Sequence, residues 1–255
     1  MMSDRLFNLT GKRILITGSN GGLGLAIAGG LGRLGASVIL NGRDEAKLNA
    51  AVDGLRSTGL DVAAARFDVT SEAEVASAID GLEAEAPIDV LINNAGIQRR
   101  VRLDEITLEV WEEVLRTNLT SAMLMGRQVA RGMITRQRGK IVNICSVMSD
   151  LGRTTTGAYT AAKGGLKMLT RAMCADWGPL GLQINAIGPG YFATEMTQPL
   201  IENPEFNAWV VNRTPARRWG EPSDLVGASA FFSSAASDFV NGQILYVDGG
   251  MTTVL

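Results

Sequence analysis

Two residues four positions apart, Tyr159 and Lys163, form the pair in this sequence that is best suited to acid–base chemistry. On a helix this spacing places the phenol and the ammonium on the same face. A free tyrosine, with a pKa of about 10, is protonated near neutrality, whereas a neighbouring cation favours the phenolate. We therefore predict that Tyr159 is a general acid or base and that Lys163 lowers its pKa. Such pairs are also common on exposed helices, so the surrounding motifs decide between the two interpretations.

The residue types that are missing narrow the chemistry further. Histidine is absent from all 255 residues, which excludes a Ser-His-Asp triad, a histidine base and histidine-ligated zinc. Two cysteines, Cys145 and Cys174, are too few for a disulfide framework or a four-thiolate site, and we expect both to be small buried hydrophobic side chains. We expect no metal site, so that acid–base work falls to Tyr, Lys, Asp or Glu.

Charge and hydropathy point to a small-molecule partner. The chain has 24 basic and 26 acidic residues, a net charge of −2, and no basic stripe of the kind that binds nucleic acid or an anionic membrane. No apolar run approaches the ~20 residues of a membrane span. The first five residues lack the apolar segment of a signal peptide, and we expect a cytoplasmic protein.

Short apolar runs alternate with helical patterns along the whole chain. The predicted strands are residues 14–17, 38–40, 63–67, 90–92, 140–144, 183–187 and 245–247. The predicted helices are residues 23–34, 45–57, 72–85, 108–137, 159–177 and 223–233. This alternation predicts an α/β protein with one Rossmann-type doubly wound domain over residues 1–255, in which helices flank a seven-stranded parallel sheet.

Residues 191–218 interrupt the alternation. They follow a predicted strand, contain three prolines and include a short amphipathic piece near Phe206. Extended loops at strand ends often close over ligands, and we therefore predict a substrate lid here in preference to an ordinary long loop.

A glycine-rich turn joins the first predicted strand to the first predicted helix. Gly18, Gly22 and Gly24 lie in this turn, where backbone can approach a pyrophosphate at a helix N-terminus. The sequence therefore predicts a dinucleotide site.

The end of the second predicted strand bears on the choice of cofactor. It reads Asn41-Gly42-Arg43, where an NAD site usually has an acidic residue for the ribose hydroxyls. Arg43 can form a charge-assisted fork with a 2′-phosphate, so NADP is favoured and NAD is possible. Asp44 could instead supply the acidic group, but it is better placed to cap the following helix.

Several weak motifs occur together in one order. They are Thr17-Gly-x-x-x-Gly-x-Gly24, Asn93-Asn94-Ala95-Gly96, Asn118, Ser146, Tyr159-x-x-x-Lys163 and Pro189-Gly190. In this combination the chain resembles the short-chain dehydrogenase/reductase family over nearly its whole length. Two departures are visible: Ala158 stands where proline is frequent, and Gly188 stands where alanine is common. Neither removes a functional group.

The resemblance implies a role for each matching residue. Tyr159 would exchange the proton, Ser146 would orient the substrate oxygen, Lys163 would bind the nicotinamide ribose, and Asn118 would hold a water in the proton relay. The cofactor would supply or accept the hydride. The implied cofactor contacts are Gly18, Ser19, Asn20, Gly22, Leu23, Gly24, Arg43, Asp68, Val69, Asn94, Ala95, Gly96, Tyr159, Lys163, Pro189, Gly190 and Thr194. The family also suggests a homotetramer, with residues 244–255 as a contact.

Further segments, including Ile97-Gln98-Arg99-Arg100 and Gly190-Tyr-Phe-Ala-Thr-Glu-Met196, are similar to the branch of the family that interconverts D-gluconate and 5-keto-D-gluconate. A sugar acid needs a cation for its carboxylate, and we predict Arg100 first and Arg153 second, with Arg99 a further possibility. Ser146, Tyr159 and Tyr191 complete the predicted substrate site. The alternatives are another carbonyl substrate (a deoxygluconate, a 3-oxoacyl thioester or glucose) and, more distantly, a non-catalytic NADP sensor.

Overall fold

The structure, a computed structural model, describes residues 6–254; residues 1–5, on which the signal-peptide expectation depends, and Leu255 lie outside the described residues. The strands are β1 Arg13–Ile16, β2 Ser37–Gly42, β3 Val62–Arg66, β4 Val90–Asn93, β5 Gly139–Ile144, β6 Leu182–Pro189 and β7 Ile244–Val247. Within the described residues they form one parallel sheet in the order β3-β2-β1-β4-β5-β6-β7. The predicted Rossmann-type doubly wound fold is confirmed.

The central strands are apolar along their length because both faces of the sheet are covered. Every residue of β4 and β5 is buried, as expected for parallel strands between two helical layers. One core cluster includes Ile14, Ile16 and Leu40, and a second, separate cluster includes Leu15 and Leu91. Alternate residues of β1 therefore point into different clusters, which fixes the register of the strand.

Outside residues 108–137 and 191–218, the helices follow the predicted pattern with shifts of at most three residues at their ends. The helices are α1 Gly22–Arg33, α2 Glu45–Arg56, α3 Glu72–Glu85, α4 Leu108–Leu115, α5 Ser121–Thr135, α6 Gly157–Trp177, α7 Gln198–Ile201, α8 Pro204–Arg213 and α9 Val226–Ser233. Asp44 caps α2, because its carboxylate accepts a hydrogen bond from the Lys47 backbone N–H at 3.1 Å. Within residues 6–254, no helix has both the length and the apolar character needed to cross a bilayer.

The predicted continuous helix over residues 108–137 was wrong at its centre. A π-helical turn, Arg116–Thr120, separates α4 from α5. The Asn118 side chain donates a 2.9 Å hydrogen bond to the Val114 carbonyl, so a side-chain amide competes for a backbone acceptor at this turn. Such turns occur frequently at functional sites, and this one brings Asn118 toward the ends of the central strands.

The strand order reverses between β1 and β4, because β2 and β3 lie on one side of β1, whereas β4 to β7 lie on its other side. Ligands of open α/β sheets bind beyond the carboxyl ends of the strands at such a point. The glycine turn follows β1, and Ser146 follows β5. The topology therefore brings the predicted cofactor and catalytic residues to one edge of the sheet.

Candidate active site

The turn after β1 has backbone conformations and close approaches that require glycine. Gly18 and Gly22 have φ angles of +58° and +55°, in the left-handed region. A Cβ atom on Gly18 would lie 2.8 Å from the Cα of Ala95. The turn is therefore packed against the segment that follows β4, and its backbone can approach a ligand closely.

Side chains on both sides of the strand crossover hold this turn in place. The Asn94 amide donates hydrogen bonds to the carbonyls of Thr17 at 2.9 Å and Gly18 at 2.8 Å. In return, the Thr17 hydroxyl accepts hydrogen bonds from the backbone N–H groups of Asn94 and Ala95, both at 3.0 Å. These bonds join β1 to β4, and breaking them would leave buried groups unpaired.

The structure does not bring two of the predicted cofactor contacts, Ser19 and Gly24, to the open cleft. The Ser19 hydroxyl points inward, donating to the Ile16 carbonyl at 2.7 Å and accepting from the Asn41 N–H at 3.0 Å. A Cβ atom on Gly24 would lie 2.5 Å from the Asn94 amide nitrogen. Both residues support the turn from behind.

Asn41 is also part of this support. It is fully buried, and its amide donates to the carbonyls of Ala65 and Phe67 at 3.1 and 3.0 Å. Its side-chain oxygen accepts from the Gly18 N–H at 3.2 Å. The absence of an acidic residue at this position is therefore linked to the architecture of the turn, because the asparagine needs both a donor and an acceptor here.

Arg43 lies at the far end of the cleft with its side chain 72% exposed. Its guanidinium contacts the Asp68 carboxylate at 3.2 Å. Hydrogen bonds from Thr70 and Arg43 outweigh partial burial and lower the pKa of Asp68. A second cation, Lys47, also lines this end. The exposed guanidinium can bind a phosphate, and the contact with Asp68 restricts the positions that this guanidinium can occupy.

Ser146, Tyr159 and Lys163 converge at the other end of the cleft. Ser146 ends the extended segment after β5 and caps a single turn, where its hydroxyl accepts from the Met148 N–H at 3.1 Å. Burial raises the pKa of Tyr159 to about 12, an effect that a hydrogen bond with Ser146 partly offsets. The Tyr159 phenol is therefore protonated near neutrality and lies within reach of the serine hydroxyl.

The expectation that Lys163 lowers the pKa of Tyr159 is wrong for this structure. The lysine ammonium donates a 2.6 Å hydrogen bond to the Ile144 carbonyl and lies 5.7 Å from the centre of the Tyr159 ring. Burial lowers the pKa of Lys163 itself to about 8. Desolvation therefore dominates both groups, and it acts against both charged forms.

Asn118 also lines the cleft, and both donors of its side-chain amide bond to backbone carbonyls. Besides Val114, its amide donates to the Ile97 carbonyl at 2.9 Å, and its oxygen accepts from the Ile97 N–H at 3.2 Å. A Cβ atom on Gly96 would lie 2.6 Å from that oxygen. Asn118 therefore fixes the loop after β4 at the cleft wall.

The cleft that joins these ends has a volume of about 940 Å³, at the upper end of the range of ligand sites. Apart from Ser19 and Gly24, every predicted cofactor contact lies on its wall, including Pro189, Gly190 and Thr194 beyond β6. Thr194 begins a turn in which its N–H donates to the Thr197 hydroxyl at 2.9 Å. Residues from the predicted lid therefore form one wall of the cleft.

Three predicted substrate residues, Arg100, Arg153 and Tyr191, lie beside this cleft and do not line it. Partial burial and the nearby charge of Arg153 lower the pKa of Arg100. Burial raises the pKa of Tyr191, and the charges of Arg153 and Arg100 offset part of this effect. Tyr191 also contributes to the raised pKa of Tyr159. The tyrosine therefore lies near both arginines and near the acid–base group.

The arginines differ in what they already bind. Arg99 forms an ion pair with Glu113 at 2.7 Å. Within residues 6–254 neither Arg100 nor Arg153 forms such a pair with a carboxylate, and the buried Nε of Arg153 has no hydrogen-bond partner. The unengaged charges are the two that can serve an anionic substrate, and Arg99 is not one of them.

Of the two departures from the family pattern, Gly188 has a structural explanation. A Cβ atom on Gly188 would lie 2.5 Å from the Tyr246 ring, whose hydroxyl donates to Asp150. Ala158 is buried against Val114 and Ala162. Of the two cysteines, Cys145 is buried, and burial raises its pKa to about 11, whereas Cys174 is only partly buried.

Sequence reasoning missed the side chains around Tyr191. Its ring centre lies 5.6 Å from that of Phe206, 6.0 Å from Trp209 and 5.6 Å from Trp219. Aromatic residues are spaced irregularly in residues 191–219, which gives no periodic signal. Sequence reasoning also missed Lys47, although the sequence shows a basic residue in the first turn of the helix that follows Arg43.

Comparison with known proteins agrees with this geometry. The family model described as enoyl-(acyl carrier protein) reductase matches residues 18–252. The chain is 52% identical to gluconate 5-dehydrogenase of Gluconobacter oxydans over 251 residues, covering 98% of each chain. It is 47% identical to 2-dehydro-3-deoxy-D-gluconate 5-dehydrogenase of Formosa agariphila, covering 100% of this chain and 97% of the relative.

A solved structure shows the same fold. Gluconate 5-dehydrogenase from Burkholderia cenocepacia, in complex with NADP and tartrate, superposes with a TM-score of 0.97 at 47% identity, covering 99% of this chain and 100% of the other. The chain belongs to the short-chain dehydrogenase/reductase family and is an oxidoreductase that acts on CH–OH groups.

Proposed function

We propose that this protein catalyses the reversible, NADP-dependent oxidoreduction between D-gluconate and 5-keto-D-gluconate. The observation that carries the proposal is the pair Arg100 and Arg153, which have no carboxylate partner within residues 6–254 and lie near Tyr191, itself near Tyr159. A polyhydroxy acid spans these groups, with its carboxylate at the cations and its reacting carbon at Tyr159. The names of the Gluconobacter and Burkholderia relatives support the choice of acid.

The chain's own residues handle the proton. In reduction, the Tyr159 phenol, protonated because burial raises its pKa, donates its proton to the C5 carbonyl oxygen. The Ser146 hydroxyl orients the same oxygen and, through its hydrogen bond with the phenol, favours the phenolate that remains. Lys163 would hold the nicotinamide ribose. In oxidation the proton moves from the C5 hydroxyl to that phenolate. Asn118 would hold a water in the proton relay to Lys163.

NADP fits the other end of the cleft and supplies or accepts the hydride when bound. The left-handed glycines of the turn after β1 leave room for the pyrophosphate at the N-terminus of α1. Arg43 and Lys47 would contact the 2′-phosphate, and Asp68 and Val69 would border the adenine. The solved Burkholderia relative with NADP supports this cofactor over NAD.

We also propose that residues 1–255 form a single domain in which residues 191–218 act as a lid over the cleft. We further propose that the protein is a cytoplasmic homotetramer. The edge strand β7 and its neighbours expose apolar side chains: Phe239 is fully exposed, and Leu245 is 41% exposed. An exposed apolar sheet edge is a surface that natural proteins usually cover. The contact would include residues 244–254, and Leu255, the last residue of that prediction, lies outside the described residues.

The rival substrate with specific support is 2-dehydro-3-deoxy-D-gluconate, the substrate in the name of the Formosa relative. It has a carboxylate too, so both acids can bind the same arginines. D-Gluconate and 2-dehydro-3-deoxy-D-gluconate differ at C2 and C3, beside the carboxylate. None of the side chains assigned to the site distinguishes the groups at these two carbons.

The deciding experiment follows absorbance of the reduced nicotinamide with D-gluconate and 5-keto-D-gluconate, each with NADP(H) and NAD(H). 2-Dehydro-3-deoxy-D-gluconate, which is oxidised, is compared with D-gluconate, and a 3-oxoacyl thioester, which is reduced, is compared with 5-keto-D-gluconate. The proposal predicts that NADP(H) with the gluconate pair has the higher kcat/KM in each direction. A higher kcat/KM for either of the other substrates would leave the family-level activity in place and replace the substrate.

A further inference from the structure

Arg153 is a predicted substrate residue that lies outside the proposed lid and whose side chain contacts it. Its guanidinium carbon lies 4.7 Å from the centre of the Phe206 ring. Arg153 comes from the loop that also carries Ser146, whereas Phe206 belongs to α8. A guanidinium over an aromatic face is attracted by the ring quadrupole and can stack on that face. The contact therefore links the catalytic loop to the lid through a charge.

The Phe206 ring is itself held in place by other aromatic side chains. Its centre lies 5.4 Å from that of Trp209, 5.6 Å from Tyr191 and 6.5 Å from Trp219. The Trp219 indole N–H donates to the Asn207 side chain at 2.7 Å, which ties this cluster back to α8. A ring with neighbours on several sides has few rotamers available, so it presents a fixed surface to Arg153.

The hydrogen-bonding capacity of the Arg153 guanidinium is not used up within the described residues. Its Nε is buried and has no hydrogen-bond partner within residues 6–254. Arg100 is close enough for the two positive charges to interact. Two like charges held together without a carboxylate favour an anion between them. Tyr191, beside Phe206, connects this position to Tyr159.

We propose that Phe206 is a specificity-determining positioning residue: it holds the Arg153 guanidinium in the orientation that receives the substrate carboxylate. Binding of the acid would in turn hold α8 against the cleft, so that an acid closes the lid more completely than a neutral sugar does. The inference rests on the proposed function, because it requires an anionic substrate. It adds a lid residue that touches neither the reacting carbon nor the cofactor.

The test compares 5-keto-D-gluconate with 5-keto-D-fructose, which has the same 5-carbonyl and no carboxylate. Phe206→Leu keeps an apolar side chain but removes the aromatic face, and Phe206→Tyr keeps the face. We expect Phe206→Leu to lower the acid-to-neutral ratio of kcat/KM by about three- to thirtyfold, the range of a cation–π contact. Phe206→Tyr should restore the ratio.

Two further variants separate this effect from general damage to the lid. Trp209→Leu removes one of the rings that hold Phe206 but leaves the Phe206 face itself, so it should lower the acid-to-neutral ratio of kcat/KM less than Phe206→Leu does. In the Arg153→Ala background, Phe206→Leu should have no further effect on the ratio, because the contact is already lost.

The outcomes distinguish this inference from the proposed function. If the wild-type protein does not prefer the acid over the neutral sugar, both are overturned. If it prefers the acid and Phe206→Leu retains that preference, or if the ratio falls equally with Arg153 absent, the positioning role alone is overturned. Thermal unfolding of each variant verifies that the ratio is measured on folded protein.

Discussion

The cofactor end and the substrate end of the cleft are held together by different kinds of contact. At the cofactor end, Thr17, Asn41 and Asn94 fix the glycine turn through short hydrogen bonds to backbone. At the substrate end, Arg100 and Arg153 lie beside an aromatic cluster and have no ion pair within residues 6–254. A buried network tolerates little change, since each unpaired group would cost about 1–3 kcal/mol. Partly exposed guanidinium groups can adapt to different ligands.

This difference suggests where relatives of this chain diverge. The Gluconobacter and Formosa relatives share 52% and 47% identity with it and carry the names of different sugar-acid activities. A fixed cofactor end allows one hydride-transfer geometry to be kept while the loops that contact the acid vary. Substrate identity should therefore depend on side chains after β4, β5 and β6, and the choice between NADP and NAD on those after β2.

The largest effect should come from the group between the two ends. Tyr159→Phe removes the transferable proton and leaves the ring, so turnover should fall by ~10²–10⁴-fold. The dissociation constant of NADPH, measured by fluorescence titration, should change little. Tyr191→Phe is the matched variant, because it removes a phenol hydroxyl near the arginines, and it should have a much smaller effect on turnover. Activity of Tyr159→Phe within a factor of three of wild type would eliminate the tyrosine mechanism.

At the cofactor end, Arg43→Ala should weaken NADP far more than NAD, because NAD lacks the 2′-phosphate. A hydrogen bond to a charged group contributes roughly 1.5–3 kcal/mol, so the preference should fall by about one to two orders of magnitude. Competition with Asp68 places the effect toward the lower part of that range. Dissociation constants of both cofactors provide the measurement, and equal losses would show that Arg43 acts through the fold.

At the substrate end, Arg100→Ala should raise the KM for 5-keto-D-gluconate and change kcat little, because the carboxylate contact is present in both ground and transition states. The neutral 5-keto-D-fructose should be hardly affected. Arg99→Ala is the control next to it in sequence, since Arg99 is paired with Glu113. Arg153→Ala shows which arginine is the stronger anchor. If none of these variants discriminates acid from neutral substrate, the carboxylate assignment is wrong.

A separate effect concerns stability and pH. The fold lowers the pKa of Lys163 from 10.5 to about 8, so between these pH values the unfolded chain binds more protons at this position. Stability should therefore rise with pH in that window, by at most roughly 1.4 kcal/mol per pH unit, relative to Lys163→Met. Above about pH 10, Tyr159 acts oppositely, because its folded pKa is raised to about 12. Urea unfolding from pH 7 to 10 measures the slope, and parallel curves would refute the buried-lysine effect.

The parts of the fold that follow local patterns were predicted well. All seven strands were located within two residues at each end, because each is a short apolar run between turns. The glycine turn was also predictable, because left-handed glycines occupy fixed positions. The Asp44 cap followed from one residue type before a helix.

The remaining features depend on contacts between distant segments. The π-helical turn at Asn118 results from a side chain that bonds the loop after β4, and no periodicity in residues 108–137 reveals it. The pKa of Tyr159 was predicted in the wrong direction because the i, i+4 spacing shows proximity and not desolvation. The stacking of Arg153 on Phe206 joins a loop to helix α8, and the sequence does not show that these two segments are close in space.

The most direct test of this division is a double-mutant cycle on Arg43 and Arg100. Reduction of 5-keto-D-gluconate by NADPH is measured with both reactants far below saturation, in wild type, Arg43→Ala, Arg100→Ala and the double variant. Arg43 contacts Asp68, whereas Arg100 lies beside Arg153 and Tyr191. None of these neighbouring residues is therefore shared by the two arginines. If the ends recognise cofactor and acid separately, the two losses should add to within about 0.5 kcal/mol. A coupling energy well above that value would contradict the account.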